Sequence, residues 1–313
     1  MIYLFRFLLL ILLTFPASAE QNSCLIDVHT HIGTFRGFEI GEKFLLESMN
    51  RYHVHYGLVS NIDGANLPNL TRNLDEVKTN QETAAFVKRH PKQFRGLLWA
   101  RPRDGSASGL EKLLADQKGI FVGIKFHPEF NQFSAEDERI QEYLRLCEKH
   151  KLVAVFHTGR KGSNSDPEKI YSVARQHPGV PFVLYHMGFF GPHEDAIRVA
   201  AEARKKQDAK IYLETSQADI DAVLLAIEKL GSDAVLFGTD ATYYGRDHYG
   251  RYQKLLKTLR EKLPSSDYFR VTAGNAIRIF NLTELPQDHL CDDPQSENAR
   301  MRGFLFSLPH WQF

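Results

Sequence analysis

The chain lacks an excess of charge of either sign. Its 39 lysines and arginines stand against 38 aspartates and glutamates, a formal net charge of +1. No overall field therefore recruits nucleic acid or an anionic membrane, and the partners to be expected are small molecules. Cysteine is scarce, three in 313 residues, which allows at most one intrachain disulfide. No apolar run reaches the ~20 residues that span a bilayer. No repeat of solenoid period and no long low-complexity linker divides the sequence, which reads as one domain. Also missing is the glycine-rich phosphate turn that usually follows the first strand of an open doubly wound sheet.

What is present begins with residues 1–19. An early basic residue, Arg6, precedes an apolar run over 7–15 and the small-residue site Ala17-Ser18-Ala19. That is the pattern of a secretory signal peptide, so the expected location of the mature chain is periplasmic or secreted. Beyond it, 43% hydrophobic content in 313 residues can bury a large core. Apolar runs rich in β-branched and aromatic residues occur at 25–29, 56–62, 94–100, 120–126, 152–157, 181–186, 211–216 and 234–240. Amphipathic helical patterns lie between and after them, at about 41–52, 74–89, 109–117, 135–150, 167–176, 193–207, 220–230 and 249–263. Such strands read as buried on both faces, in a parallel sheet covered by helices. Eight strand and helix units over about 260 residues predict an α/β fold, a single (β/α)8 TIM barrel, over 24–285. Residues 286–313 form a distinct C-terminal tail, polar at first and ending in Trp311-Gln312-Phe313. In a barrel the start of the first strand and the end of the last helix share the bottom face. Cys24 and Cys291 are thus expected to be neighbours that form a disulfide, while Cys147, in a helical pattern, reads as a small buried apolar residue.

A barrel places chemistry at the C-terminal ends of its strands. The first strand runs into His29-Thr30-His31, and side chains at i and i+2 share one face of a strand, so the two imidazoles sit side by side. Taken alone, such a pair is as readily chance decoration as a metal site. Other strand ends add Lys125-Phe126-His127-Pro128, His157-Thr158-Gly159, His186-Met187-Gly188, Glu214-Thr215-Ser216 and Gly238-Thr239-Asp240. Alone, Asp240 would read as a turn cap and His127 as a residue fixing its loop.

Taken together, Asp27-x-His29-x-His31, Gly123-Ile124-Lys125-Phe126-His127-Pro128, His157-Thr158-Gly159, His186-x-Gly188, Gly238-Thr239-Asp240 and Gly274-Asn275-Ala276 resemble the amidohydrolase superfamily. The closer resemblance is to its branch that includes aminocarboxymuconate semialdehyde decarboxylase and related metal-dependent hydrolases. The resemblance spans residues 25–282. It implies that His29, His31, His157 and Asp240 hold one divalent metal, with zinc the expected ion, and that His186 orients or deprotonates water, with Asp240 able to shuttle a proton. Lys125 sits where binuclear relatives carry a carbamylated lysine. Two metals, with His157 and His186 on the second, are the alternative.

The expected function is hydrolysis, with metal-activated water attacking an ester, lactone, amide or phosphoester of a small, partly apolar substrate. The alternatives are nonoxidative decarboxylation of an unsaturated or aromatic acid, and a metal-binding barrel without turnover. Substrate contacts are expected from Lys125, Arg36, Arg101 and Glu214, with Arg160 and Ser216 also at the rim. Phe35, Phe38, Phe130, Phe133, Phe189, Phe190, Tyr243 and Tyr244 follow strand ends and suggest a substrate containing a ring. Members of the superfamily are often dimers, so a homodimer is the assembly the resemblance suggests.

Overall fold

The computed structural model describes residues 24–282. The expected signal peptide (1–19), the expected C-terminal tail (286–313) and Cys291 lie outside the described residues. Eight strands appear in chain order: β1 (Ile26–Ile32), β2 (Tyr56–Asn61), β3 (Phe94–Trp99), β4 (Phe121–Phe126), β5 (Val153–His157), β6 (Pro181–Tyr185), β7 (Lys210–Glu214) and β8 (Val235–Leu236). All pair in parallel with their sequence neighbours. The ring closes through backbone bonds from β1 to the segment after β8. Val28 N donates to Phe237 O at 3.1 Å and Ala241 N to His29 O at 3.1 Å. The expected (β/α)8 barrel is what forms.

The covering helices are α1 (Glu42–Arg51), α2 (Glu76–Arg89), α3 (Ala107–Asp116), α4 (Ile140–His150), α5 (Pro167–Ala174), α6 (Glu194–Lys206), α7 (Ile220–Leu230) and α8 (Gln253–Lys262). Their starts follow local chemistry. Asp75, Ser106 and Asp166 accept backbone N–H bonds from Lys78, Gly109 and Glu168 at the first turns of α2, α3 and α5. The sequence pattern ran α4 back to 135, but there Ser134 and Asp137 accept from the backbone of Glu136 and Arg139, holding a turn and delaying the helix to Ile140. A 3-10 stretch, Gly245–Tyr252, precedes α8. Two further short helices, α9 (Ser265–Phe269) and α10 (Asn275–Ile279), flank a π-helical turn.

Two apolar layers result. Outward strand residues such as Leu98, Phe126, Phe156, Leu184 and Leu213 pack against helix residues such as Leu110, Leu144, Ile170 and Val223. Inward residues Val28, Leu58, Leu97, Val155, Val183 and Leu236 fill the bore, and Ala273, Ile279 and Phe280 join them to close its lower end. Cys24 sits in this lower layer and is disulfide-bonded. Cys147 is a free, buried thiol, as expected.

One irregularity in β1 matters for the site. Its register to β2 advances three residues against two between Asp27 and Thr30, a β-bulge. Val28 joins the bore while Asp27 reaches outward to Tyr249, whose hydroxyl donates to it at 2.8 Å. The bulge thereby separates Asp27 from the face that carries His29 and His31.

Candidate metal centre

His29 and His31, on one face of β1 as the strand period requires, meet Asp240 from the turn after β8. His29 Nε2 lies 3.1 Å from His31 Nε2, and each is 3.2 Å from Asp240 Oδ1. The opposite ring nitrogens are committed. His31 Nδ1 donates to the Ser60 carbonyl at 3.3 Å, and His29 Nδ1 faces Glu214 Oε2 at 3.2 Å. That leaves the two Nε2 lone pairs and a carboxylate oxygen pointing at one another. Burial first, then neighbouring cations, holds His29 neutral by pushing it well below the usual histidine range. Burial works against the charge on Asp240, yet its polar neighbours His31, His186 and Lys125 outweigh it and hold its carboxyl below the usual carboxylate range, so it stays ionised. Two imidazole nitrogens and a carboxylate oxygen, oriented from behind by the Ser60 carbonyl and Glu214, fit a divalent cation.

A second layer sits directly behind. Ser216 Oγ donates to Glu214 Oε2 at 2.7 Å and therefore accepts from His186 Nδ1 at 2.8 Å. The His186 Nε2 lone pair is thus left for the cavity. Burial lowers this histidine to about 3, against the pull of Asp240. Burial also pushes Glu214 up to about 8, against hydrogen bonds from Ser216 and the His186 backbone. Glu214 can reach this position because Gly238 has no side chain: a Cβ there would lie 2.3 Å from Glu214 Oε1. His186 and Asp240 both adopt left-handed backbone conformations, φ 69° and 62°. Such strain in non-glycine residues concentrates where side chains are aimed for function.

Asp27 ties the two ligand-bearing segments together. Its carboxylate accepts from His29 N at 2.9 Å, Thr239 N at 3.1 Å, Thr239 Oγ1 and Tyr249 Oη. Burial raises it to about 7 despite these bonds. The Thr239 carbonyl in turn accepts from His248 Nε2 at 2.9 Å and Tyr252 Oη at 2.7 Å.

Above the cluster opens a cavity of about 330 Å³. His157 lines it but stands outside the tight group: its ring stacks on His127 at 4.0 Å and meets His186 edge-on at 4.9 Å. Lys125 lines it too, its Nζ over the Tyr185 ring at 4.0 Å. Of the aromatics expected at the rim, all but Phe133 line the cavity; Phe133 packs into the outer core. The arginine expectations need correcting. Arg36 is exposed and outside the lining. Arg101 is buried away from it, spent on Asp104, Asn73 Oδ1 and the Leu74 carbonyl. Glu214 lies beneath the cavity and holds His29 and His186 instead of facing a substrate. Ser60, Tyr185 and the Asp27–Tyr249 link escaped sequence reasoning, because nothing local distinguishes a strand serine or tyrosine from packing residues.

Comparisons with known proteins come down on the same side. No curated protein sequence matches the chain. Among solved structures, a 5-carboxyvanillate decarboxylase from Novosphingobium aromaticivorans, complexed with manganese and 4-hydroxy-3-methoxy-5-nitrobenzoic acid, superposes with a TM-score of 0.63. It is 12% identical, covering 84% of this chain and 97% of that one. A dihydroxybenzoic acid decarboxylase from a Polaromonas species, with manganese and 2-nitroresorcinol, gives 0.60 at 15% identity, over 84% and 98%. A 4-oxalomesaconate hydratase from Rhodopseudomonas palustris gives 0.57 at 15%, over 82% and 95%. At these identities the likeness shows the barrel fold. The amidohydrolase family model matches residues 26–282, from the first residue of β1 to the end of the described barrel. With its ligand set assembled at the strand ends, the chain belongs to the amidohydrolase family of metal-dependent enzymes.

Proposed function

We propose that the protein is a nonoxidative decarboxylase of a flat, ring-containing carboxylic acid. The observation that carries this reading is the placing of the His29, His31 and Asp240 cluster beneath a cavity walled by planar groups. Phe130, His127 and His157 form one continuous stack, at 3.9 and 4.0 Å with interplanar angles of 5° and 11°. Phe35 and Phe38 stack at 4.9 Å, and Tyr243 meets both edge-on. Walls of this kind accept a planar ring and exclude water. Two of the structural neighbours described above are decarboxylases of aromatic acids, which supports the choice.

In decarboxylation the bond from the ring to the carboxylate carbon breaks, its electron pair stays on the ring carbon, and one proton replaces the departing carbon dioxide. His29, His31 and Asp240 would hold the divalent ion, with His157 as the further ligand on the family resemblance. When bound, that ion supplies positive charge that steadies negative charge on a substrate oxygen. Asp240, ionised at rest, is placed to take a proton from the substrate and return one to the ring carbon. The aromatic walls disfavour the charged carboxylate and tolerate neutral carbon dioxide. Manganese, present in both decarboxylase neighbours, is the first ion to load, with zinc the second.

Hydrolysis is the second reading, and one observation favours it: His186, fixed through Nδ1 to Ser216, leaves Nε2 free to accept a hydrogen bond from water and orient it. The manganese-loaded protein should be offered a panel of ring acids, with carbon dioxide measured, and a panel of esters and lactones in 18O-water. Carbon dioxide release without label uptake is expected. Label incorporation into ester or lactone products, with no carbon dioxide from any acid, would overturn the decarboxylase in favour of the hydrolase. For the setting, the proposal retains a small-molecule substrate, a homodimer, and the periplasm or cell exterior.

A further inference from the structure

We propose that Lys125 and His127 form an anion-binding subsite for an acidic group that the substrate keeps through the reaction. This rests on the reading of the cavity as a site for ring acids. The two residues lie at i and i+2 at the end of β4, and both side chains line the cavity. Lys125 is 1% exposed, and its Nζ has no hydrogen-bond partner among the described residues. Burial pushes this ammonium down to about 7, because a charge held against an aromatic ring with three donors and no acceptor is costly, and an acidic group placed beside Nζ restores it. His127 is also buried. Its Nδ1 accepts the Phe130 backbone N–H at 3.3 Å, so its proton sits on Nε2, for which the described residues offer no acceptor. The donors of both side chains are therefore unspent in a cavity whose remaining lining is mostly rings, the exceptions being Ile62, Gln217, Asp240 and Glu129, the last accepting from Ser165 through Oε1. The arginines near the rim do not compete, since neither Arg36 nor Arg101 lines the cavity.

The group that these donors receive is not the carboxylate that leaves. An ion pair to a group that loses its charge stabilises the ground state more than the transition state and slows the reaction. The subsite instead suits an oxygen anion that remains on the product, which makes the preferred substrate a ring acid with a second acidic group. Opposite-charge recognition at a desolvated lysine also discriminates strongly against a neutral isostere, because the neutral ligand leaves the ammonium unpaired.

The test uses benzoate and benzamide, which match in shape and differ in charge, titrated calorimetrically into manganese-loaded protein and its Lys125→Met variant. Benzoate should bind the native protein about 10- to 100-fold more tightly than benzamide, the range expected for a charge-assisted hydrogen bond. The variant should lose that preference while benzamide binding and metal content stay unchanged. Its melting temperature should be no lower, since a buried amine with no acceptor gives way to an apolar side chain of similar length. The proposal is overturned if the preference survives in the variant, or if neither probe binds the native protein. It is equally overturned if intact mass shows Lys125 carrying an added carbon dioxide, for the lysine would then be a metal ligand. Because these are binding measurements, a charge preference in a protein that decarboxylates nothing would uphold the subsite and sink only the decarboxylase.

Discussion

His186 is the residue at which chemistry and metal binding separate. Its Nδ1 is held by Ser216 and its ring stands beside the ligand cluster without joining the His29, His31 and Asp240 group. On the hydrolytic reading, replacing it with Asn should lower turnover by ~10²- to 10⁴-fold, the usual weight of a positioned acid or base, whereas decarboxylation through Asp240 should fall far less; on either reading metal content stays at the native ratio. Elemental analysis beside turnover checks this, and metal loss in the variant would instead make His186 a ligand. Asp27 acts one step further back. It grips the backbone of both His29 and Thr239, so Asp27→Asn should weaken metal affinity by ~10- to 100-fold, as removal of such supporting bonds does. The direct readout is a competition titration with a chelator on folded variant protein.

At the scale of elements, the turn after β1 carries a constraint that a single glycine meets. Gly33 adopts φ +110°, and a Cβ there would stand 2.3 Å from Asn61 Oδ1 and 2.6 Å from Asp63 Oδ2. Both polar groups belong to the turn at the end of β2, where Asn61 caps the backbone of Asp63. Gly33→Ala should therefore destabilise the fold by ~2 kcal/mol or more, visible as a lower melting temperature. The strands themselves were legible because alternate buried faces make each an apolar run, and all eight appear where those runs lie. Helix ends were less so: α4 starts five residues late because Ser134 and Asp137 hold a turn, and the 3-10 stretch before α8 follows no period. The bulge in β1 left no sequence mark at all. It is a mismatch between two strands, and register belongs to the pair.

For the molecule as a whole, buried ionisable groups set the pH response of the metal-free protein. His29, His127, His157, His186 and His248 all titrate below the ordinary histidine value of 6.5 because burial disfavours the imidazolium. Between about pH 4.5 and 6.5 the unfolded chain binds their protons and the folded chain does not, so stability rises with pH. Asp27, Glu214 and Glu76 are raised by burial and work the other way in that window, three groups against five. Above pH 7, the lowering of Lys125 to about 7 offsets the remaining loss from Glu214, raised to about 8. Chelator-treated protein should hence lose melting temperature as pH falls from 6.5 to 4.5 and change little from 7 to 8. Thermal scans across that range check it, and an acid side as flat as the neutral one would contradict the neutral, buried histidines.

Periodicity in the sequence was enough for the barrel, while the residues carried to its mouth were singled out by their strand-end positions together with the family resemblance. Both are local properties: a run of apolar residues buries itself wherever it lies, and a histidine at the end of a barrel strand is carried to the catalytic face by the fold's own geometry. Which donors are spent and which are free could only be decided in three dimensions. Arg101 and Lys125 read alike as cations at strand ends, yet Asp104, Asn73 and the Leu74 carbonyl consume one while the other is left in the cavity without an acceptor. Glu214 likewise became the support of His29 and His186 only because Gly238, in the segment that follows β8, leaves it room. Hydrogen bonds over such sequence distances are settled by packing, which no stretch of the chain encodes alone.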